Sequence, residues 1–448
     1  MPQLRCRLVL LVLSVLALTA VAFAEDWPRW RGPRGDGSWN APPLPERWPE
    51  RGLKRLWRQP VGGGYAGPAV ADGRVYLMDR EKLPGAKPPA RPKQPEDFTG
   101  PPDGHERIVC FDADTGRLLW EHKYPTRYGG LGGYNNGPRA MPTVHDGRVY
   151  TLGAVGHVHC LDAVTGRVLW AKDMVKEHKS RVPMWGFAAS PVIDGERVIV
   201  HTGAEPDGCL IAFDRTTGRE VWRRLPDPAG YCTPILIDAP GGRQLIAWTP
   251  ENVHGLDPRT GKRLWTVPYR VTNGVSITTP IFRENIVFVT GYWEGSKAIR
   301  LGPGPTDAEL LWEDSETLRG VMSQPLYRDG HAYTIDRTKG LVCFELKTGT
   351  VRWADHRLTP RSRNPHASLV WAGDGDRVLI LNAAGELILA RLTPAGYAEQ
   401  SRTQVIDGKV WSHPAYAGRR LYVRSDGAEQ SAAGGPFELV CVELVGNE

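Results

Sequence analysis

One phrase returns along the chain and decides what it can fold into. It reads FDADTGRLLW at Phe111–Trp120, LDAVTGRVLW at Leu161–Trp170, FDRTTGREVW at Phe213–Trp222, LDPRTGKRLW at Leu256–Trp265 and FELKTGTVRW at Phe344–Trp353. An acid, a Thr-Gly pair and a Trp four residues after the Gly persist, whereas Asp114 is replaced by Val164, Thr216, Arg259 and Lys347. A calcium loop wants glycine at its sixth position and a bidentate Glu at its twelfth. Counting from Asp112 puts Gly116 and His122 out of that register. Self-similarity along a chain is the mark of a structural repeat, so the phrase is read as architecture before chemistry.

Each unit reads as four short strands. An apolar run with a Pro comes first (SPVI, TPIL, TPIF), then an Asp-Gly turn and a β-branched run (DGRVYTL, DGERVIV, DGHAYTI), then the strand bearing the acid, then Thr-Gly and the strand ending in Trp. Asp-Gly between apolar runs signals a hairpin, and Gly supplies a positive φ. Gly116, Gly166, Gly218, Gly261 and Gly349 are therefore expected at hairpin corners, each acid bonding its own turn. First strands begin near Ala66, Ala140, Ala189, Cys232, Thr278, Ser323, Ala367 and Ser412. Closing strands end at Trp120, Trp170, Trp222, Trp265, Trp312 and Trp353, with a worn copy near Tyr397. The missing closing strand is LKRLWRQP, whose Trp57 precedes the first unit. The chain is thus expected to be all-β, an eight-bladed β-propeller of four-stranded antiparallel blades over residues 53–448, closed by the N-terminal strand pairing with the last blade.

The phrase LDAxTGxxLW with DGxVY before it resembles the PQQ-like propeller repeat shared by BamB-type assembly proteins and quinoprotein alcohol dehydrogenases. The resemblance covers about Trp57 to Leu444, with units five and seven degraded. DWPRWRGPRGDGSW resembles the leader WPxWRGPxxDG of an exported bacterial subgroup, so residues 25–52 are expected to pack on the propeller, burying Trp27 and Trp30. The dehydrogenase side of the family implies PQQ with calcium, beneath a disulfide of adjacent cysteines. No two cysteines are adjacent here and Cys-x-x-Cys-His is absent. No catalytic or metal-binding residue carries over. The leading expectation is a non-enzymatic binding or assembly platform without a cofactor; the alternative is a PQQ- and calcium-dependent oxidoreductase.

Arg5 and Arg7, an apolar run from Leu8 and Ala22-Phe23-Ala24 read as a secretory signal (1–24) cut near Ala24, giving a periplasmic or secreted protein without stable membrane insertion. A formal net charge of +6, about +4 without Arg5 and Arg7, with both signs interspersed, argues against a nucleic-acid partner. Cys110, Cys160, Cys343 and Cys441 each precede the acid-bearing pair of their repeat, a blade apart, and are expected as buried thiols; Cys209 and Cys232 stay open. His157 and His159 share a strand face, too few for zinc.

In such a blade the Asp-Gly and Thr-Gly corners fall on one face of the disc. The irregular connections, 80–107 (Pro-rich), 121–137, 171–187 and 354–365, fall on the other, where a rigid scaffold carries function. The 80–107 loop is either a solvated insertion or a partner-binding arm. Three residues before the first-strand Pro of seven units stand Tyr65, Arg139, Ala188, Tyr231, Ile277, Met322 and Trp411, and His366 is taken as the unit-seven member, where the Pro is missing and the register is open. This column is either blade packing or the rim of the central channel, in which case its mixed aromatic character suits a peptide, glycan or small aromatic ligand; the expected partner is an envelope protein, peptide or glycan.

Overall fold

The computed structural model describes residues 25–85, 101–134, 136–320, 322–358, 362, 364–426 and 437–445. Residues 1–24, expected as a secretory signal, and the middle of the Pro-rich loop lie outside the described residues.

Eight sheets form the ring, seven of four antiparallel strands and one with a fifth, parallel strand from the leader. Their innermost strands are Ala69–Ala71, Thr143–His145, Val192–Asp194, Ile235–Ala239, Ile281–Arg283, Leu326–Arg328, Ala367–Ala372 and Ala415–Ala417. The ring closes through Lys54–Pro60, which pairs with Glu438–Glu443 and sets Trp57 opposite Cys441. The described helical structure is slight: Met174–His178 and one short 3-10 turn at Thr272–Gly274. Among the described residues no helix is long and apolar enough to cross a membrane.

Why the phrase repeats is visible at the blade boundaries. Asp112 accepts from the backbone of Asp114 (3.2 Å) and Thr115 (2.9 Å) and from the Thr115 hydroxyl (2.8 Å), and Asp162 and Asp214 repeat the pattern. These bonds hold all three carboxyls below their ordinary range. The Trp reads the next blade's corner. Trp57 Nε1 donates to Ala113 O (3.0 Å), Trp120 to Ala163 O (3.1 Å), Trp170 to Arg215 O (3.1 Å), Trp222 to Pro258 O (3.1 Å) and Trp312 to Leu346 O (2.9 Å), always the residue after the acid. The Gly of that corner lies under the ring: a Cβ on Gly116 would stand 2.6 Å from Trp57, one on Gly166 2.5 Å from Trp120 and one on Gly218 2.7 Å from Trp170. Acid, Gly and Trp therefore form one clasp between neighbouring blades. Where blade five has lost the corner, Trp265 donates instead to Gln244 Oε1 (2.8 Å), and at degraded blade seven Trp353 takes Thr393 O (3.0 Å).

All six described cysteines are free and buried, including Cys209 and Cys232. His159 packs against His122 and Tyr124 of the preceding blade, with ring centroids 5.0 and 4.5 Å apart. The ends of the Pro-rich loop differ from expectation. Arg80–Lys82 and Gly104–Arg107 continue the hairpin ladder of Arg74–Lys82 with Gly104–Asp112, because Asp79, Arg80 and Glu106 are buried and each has its own partner: Arg80 meets Asp103 (2.5 Å), Arg107 meets Asp79 (2.6 Å), and Glu106 accepts from the hydroxyls of Tyr124 and Tyr128.

The leader is built into the disc on the short-corner face. Trp27 and Val70 exchange backbone hydrogen bonds (3.0 and 2.9 Å), Val144 donates to Pro28 O (2.8 Å), and Ser38–Trp39 adds in parallel to Ala367–Ala372. Trp27, Trp39 and Trp48 are buried. Trp30 is only half-buried, because it stands in the central channel, its Nε1 donating to Thr279 Oγ1 (2.8 Å).

Candidate functional site: a blind aromatic cup in the channel

The eight column residues come together. Tyr65, Arg139, Ala188, Tyr231, Ile277, Met322, His366 and Trp411 all line one cavity of ≈ 300 Å³ that opens on the long-loop face. They converge because each sits at the same place in its blade, just before the innermost strand. Loops and hairpin tips add Tyr134, Trp185, Tyr292, Trp293 and Asn364, which the repeat register does not predict. The sequence signal for the four aromatic ones is an aromatic residue inside an irregular segment, as in PMWGF and GYWEG, and Asn364 carries none. Trp30 belongs to both this cavity and a groove on the opposite face, so the leader turns an open channel into a cup with a floor.

The polar groups of the cup are few and held in place. Arg139 donates from Nε to Trp185 O (2.8 Å) and from Nη2 to Tyr134 O, with its guanidinium 4.5 Å from the Tyr65 ring centroid. Burial lowers its pKa, yet arginine stays charged at neutral pH. Lys409 Nζ lies 3.1 Å from the Trp411 ring centroid, and Arg337 lies 4.5 Å from that of Tyr292. Cations thus stack on aromatic faces around the mouth, an arrangement that gains as water is excluded. Trp411 is fixed from behind by Asp426, which accepts from the backbone of Trp411 and Ser412; burial pushes this carboxyl up to about 7.

His366 is 1% exposed and neither ring nitrogen has a hydrogen-bond partner. Burial pushes its pKa down to about 4, and His413, at a centroid distance of 5.5 Å, is held well below the ordinary value by burial and by His366. Both imidazoles are neutral at pH 7. An unpaired buried imidazole facing a cavity costs stability unless something hydrogen-bonds it. Tyr231, pushed up to about 12 by burial, accepts from Trp185 N through its hydroxyl (3.4 Å) and so ties two walls together.

Among the described lining residues there is no carboxylate, and among the described residues no three His, Cys, Asp or Glu gather as a metal-holding group. Calcium is held by carboxylate and carbonyl oxygens. The donor set of the cup, rings, a guanidinium and two imidazoles with one Asn, one Gln and one Thr, does not fit it.

Comparison with known proteins places this geometry. A Yersinia pestis outer membrane protein assembly factor BamB is 21% identical over 71% of this chain and 75% of its own length. The quinohemoprotein alcohol dehydrogenase ADH-IIG of Pseudomonas putida is 32% identical over 36% of this chain, a match that spans only 19% of the dehydrogenase. Among solved structures, ADHIIG from Pseudomonas putida HK5 superposes over 94% of this chain and 81% of its own at a TM-score of 0.63 with 13% identity. BamB from Moraxella catarrhalis does so over 83% and 99% at 0.51 with 16% identity; both likenesses concern the fold alone. Residues 104–355, more than half of the sequence, match the family model described as outer membrane protein assembly factor BamB, and the chain belongs to that family of PQQ-like propellers.

Proposed function

We propose that this protein is an exported, non-enzymatic propeller that acts as a binding or assembly platform in the cell envelope, receiving its ligand in the cup on the long-loop face. The observation that carries the reading is the convergence of eight equivalent positions, one per blade, on a single blind cavity. Its aromatic walls offer stacking area at little entropic cost. Arg139 and the stacked cations at the mouth favour an anionic group. The two unpartnered nitrogens of His366 ask for a donor and an acceptor. A peptide or glycan end carrying a carboxylate meets all three. The sequence matches support the platform side: the assembly factors align over about three quarters of their length, whereas the dehydrogenases align over less than half of theirs. Export rests on the apolar N-terminal segment and on the envelope setting that the assembly factors' name implies.

What weighs against the quinone reading is the calcium half of the cofactor, for which the described lining residues of the cup offer no carboxylate. Titration with PQQ and calcium, following Trp emission together with dye-linked alcohol oxidation, tests the proposal. Trp30, Trp185, Trp293 and Trp411 line the cup, so any occupant perturbs emission. The expected result is no calcium-dependent quenching and no oxidation, with saturable quenching by aromatic peptides or acidic oligosaccharides. Calcium-dependent quenching coupled to alcohol oxidation would overturn the platform reading.

A further inference from the structure

Behind the floor of the cup lies a second cavity, of ≈ 360 Å³, on the short-corner face. It is bounded by the leader on one side and by the innermost strands of blades three, four and five on the other. Five arginines line it: Arg29, Arg31, Arg34, Arg243 and Arg283. Three of them are neutralised. Arg34 pairs with Glu25, Arg283 with Asp36 (2.7 Å), and Arg243 with Asp194 (2.9 Å) and Asp238 (3.1 Å).

The other two have no acid of their own. Arg29 gives Nε and Nη2 to the carbonyl of Pro33 (3.1 and 2.6 Å). Arg31, 5% exposed, gives Nη2 to the carbonyls of Asp36 (2.8 Å) and Pro325 (2.5 Å), while its Nη1 has no hydrogen-bond partner. A buried guanidinium with an unmet N–H is costly unless an anion completes it. Burial is the main cause that lowers the pKa of both groups, the nearby Asp36 carboxylate opposes it, and the charges of Arg243 (at Arg29) and Arg283 (at Arg31) add to it, Arg31 falling to about 10.

The wall opposite is an unused sheet edge. Ile235–Ala239 pairs on one side only, with Gly242–Trp248, and Ile235 and Leu236 are half-buried along the groove. Elsewhere on this face the leader already takes such edges: Trp27 pairs with Val70, Pro28 receives Val144 N–H, and Ser38–Trp39 extends Ala367–Ala372. Blades one, two and seven are thus filled by extended backbone, while blade four presents the same kind of edge beside two cations that reach no carboxylate directly and share only the field of Asp36.

We infer that this groove is a second binding site, which takes an extended acidic peptide as an added strand on the inner edge of blade four, with its carboxylates on Arg29 and Arg31. Main-chain pairing supplies affinity and the arginines select the sequence, as in strand addition generally. The site is separated from the cup by Trp30 and does not rest on the cup's having a ligand.

Fluorescence anisotropy on the full purified chain tests it with a labelled octapeptide of alternating Glu and Val. The expected result is saturable, salt-sensitive binding. It should weaken about tenfold, one charge-assisted contact's worth, when Lys replaces Glu in the peptide, when alternate peptide amides are N-methylated, and in Arg29→Gln. The N-methylated peptide needs no change to the protein, so the test stands even if the variant folds poorly. Equal binding by the N-methylated or the lysine peptide overturns the strand-addition proposal. So does an unaltered affinity in folded Arg29→Gln, or a groove that takes inorganic phosphate and no peptide.

Discussion

The inter-blade clasp makes a prediction that separates two reasons for having glycine at one corner. Gly147 and Gly166 are both in blade two, with φ of 66° and 71°. A Cβ on Gly147 meets nothing within 4 Å, whereas one on Gly166 stands 2.5 Å from the Trp120 ring. That ring is held by its hydrogen bond to Ala163 O (3.1 Å) and cannot easily withdraw. Gly147→Ala should therefore carry only the left-handed backbone penalty of about 1–2 kcal/mol. Gly166→Ala adds an overpacking penalty of about 1–3 kcal/mol, for a total of about 2–5 kcal/mol. The change in unfolded-state entropy is common to both substitutions and cancels in the comparison. Chemical denaturation followed by Trp emission gives the two midpoints, and the excess for Gly166→Ala measures the clasp. In a Trp120→Ala background the excess should vanish, since the clash partner is gone. Equal losses in the two single variants, or an excess that survives removal of Trp120, would refute the clasp.

Deleting the chain through Arg58 removes the strand opposite Glu438–Glu443 and leaves Leu439–Val442 as an open apolar edge; size-exclusion chromatography should show oligomers and the melting temperature should fall. Stability should drop as pH falls from about 6.5 to 4, because His366 and His201 (each pushed down to about 4) and His413 are neutral in the fold and take up protons on unfolding. Asp426, raised to about 7, acts in the opposite sense between about 4 and 7, so His366→Asn should flatten the acid limb of denaturation midpoint against pH while Asp426→Asn should steepen it.

The ring, its blade number and its closure through Trp57 were legible because five of the repeats carry the same turn chemistry at a fixed register and the degraded ones keep their first strands and most of their closing Trp residues. The role of the Gly was only half legible: positive φ is a property of one corner, whereas the ring above Gly166 belongs to the neighbouring blade and sequence spacing does not encode that contact. For the cup, counting back from the first-strand Pro finds seven of the eight positions that line it, and repeat order supplies the eighth, His366, since equivalent positions in a closed ring face one axis. Trp30, Trp185 and Trp293 escape that argument because they come from the leader, a long loop and a hairpin tip, whose paths depend on tertiary contacts. The closed floor could not be read at all. It follows from the leader crossing the short-corner face, where Arg31 anchors to Pro325 O and Trp30 to Thr279.

The claim that the cup is the ligand site is tested most directly by soaking crystals with a mixture of short aromatic peptides and acidic oligosaccharides and locating what binds. The account predicts an occupant enclosed by Tyr65, Tyr231 and Trp411, with a polar atom on His366 and an anionic group toward Arg139. Ligands bound only on the outer blade surfaces, with the cup left to solvent at saturating concentrations, would contradict it.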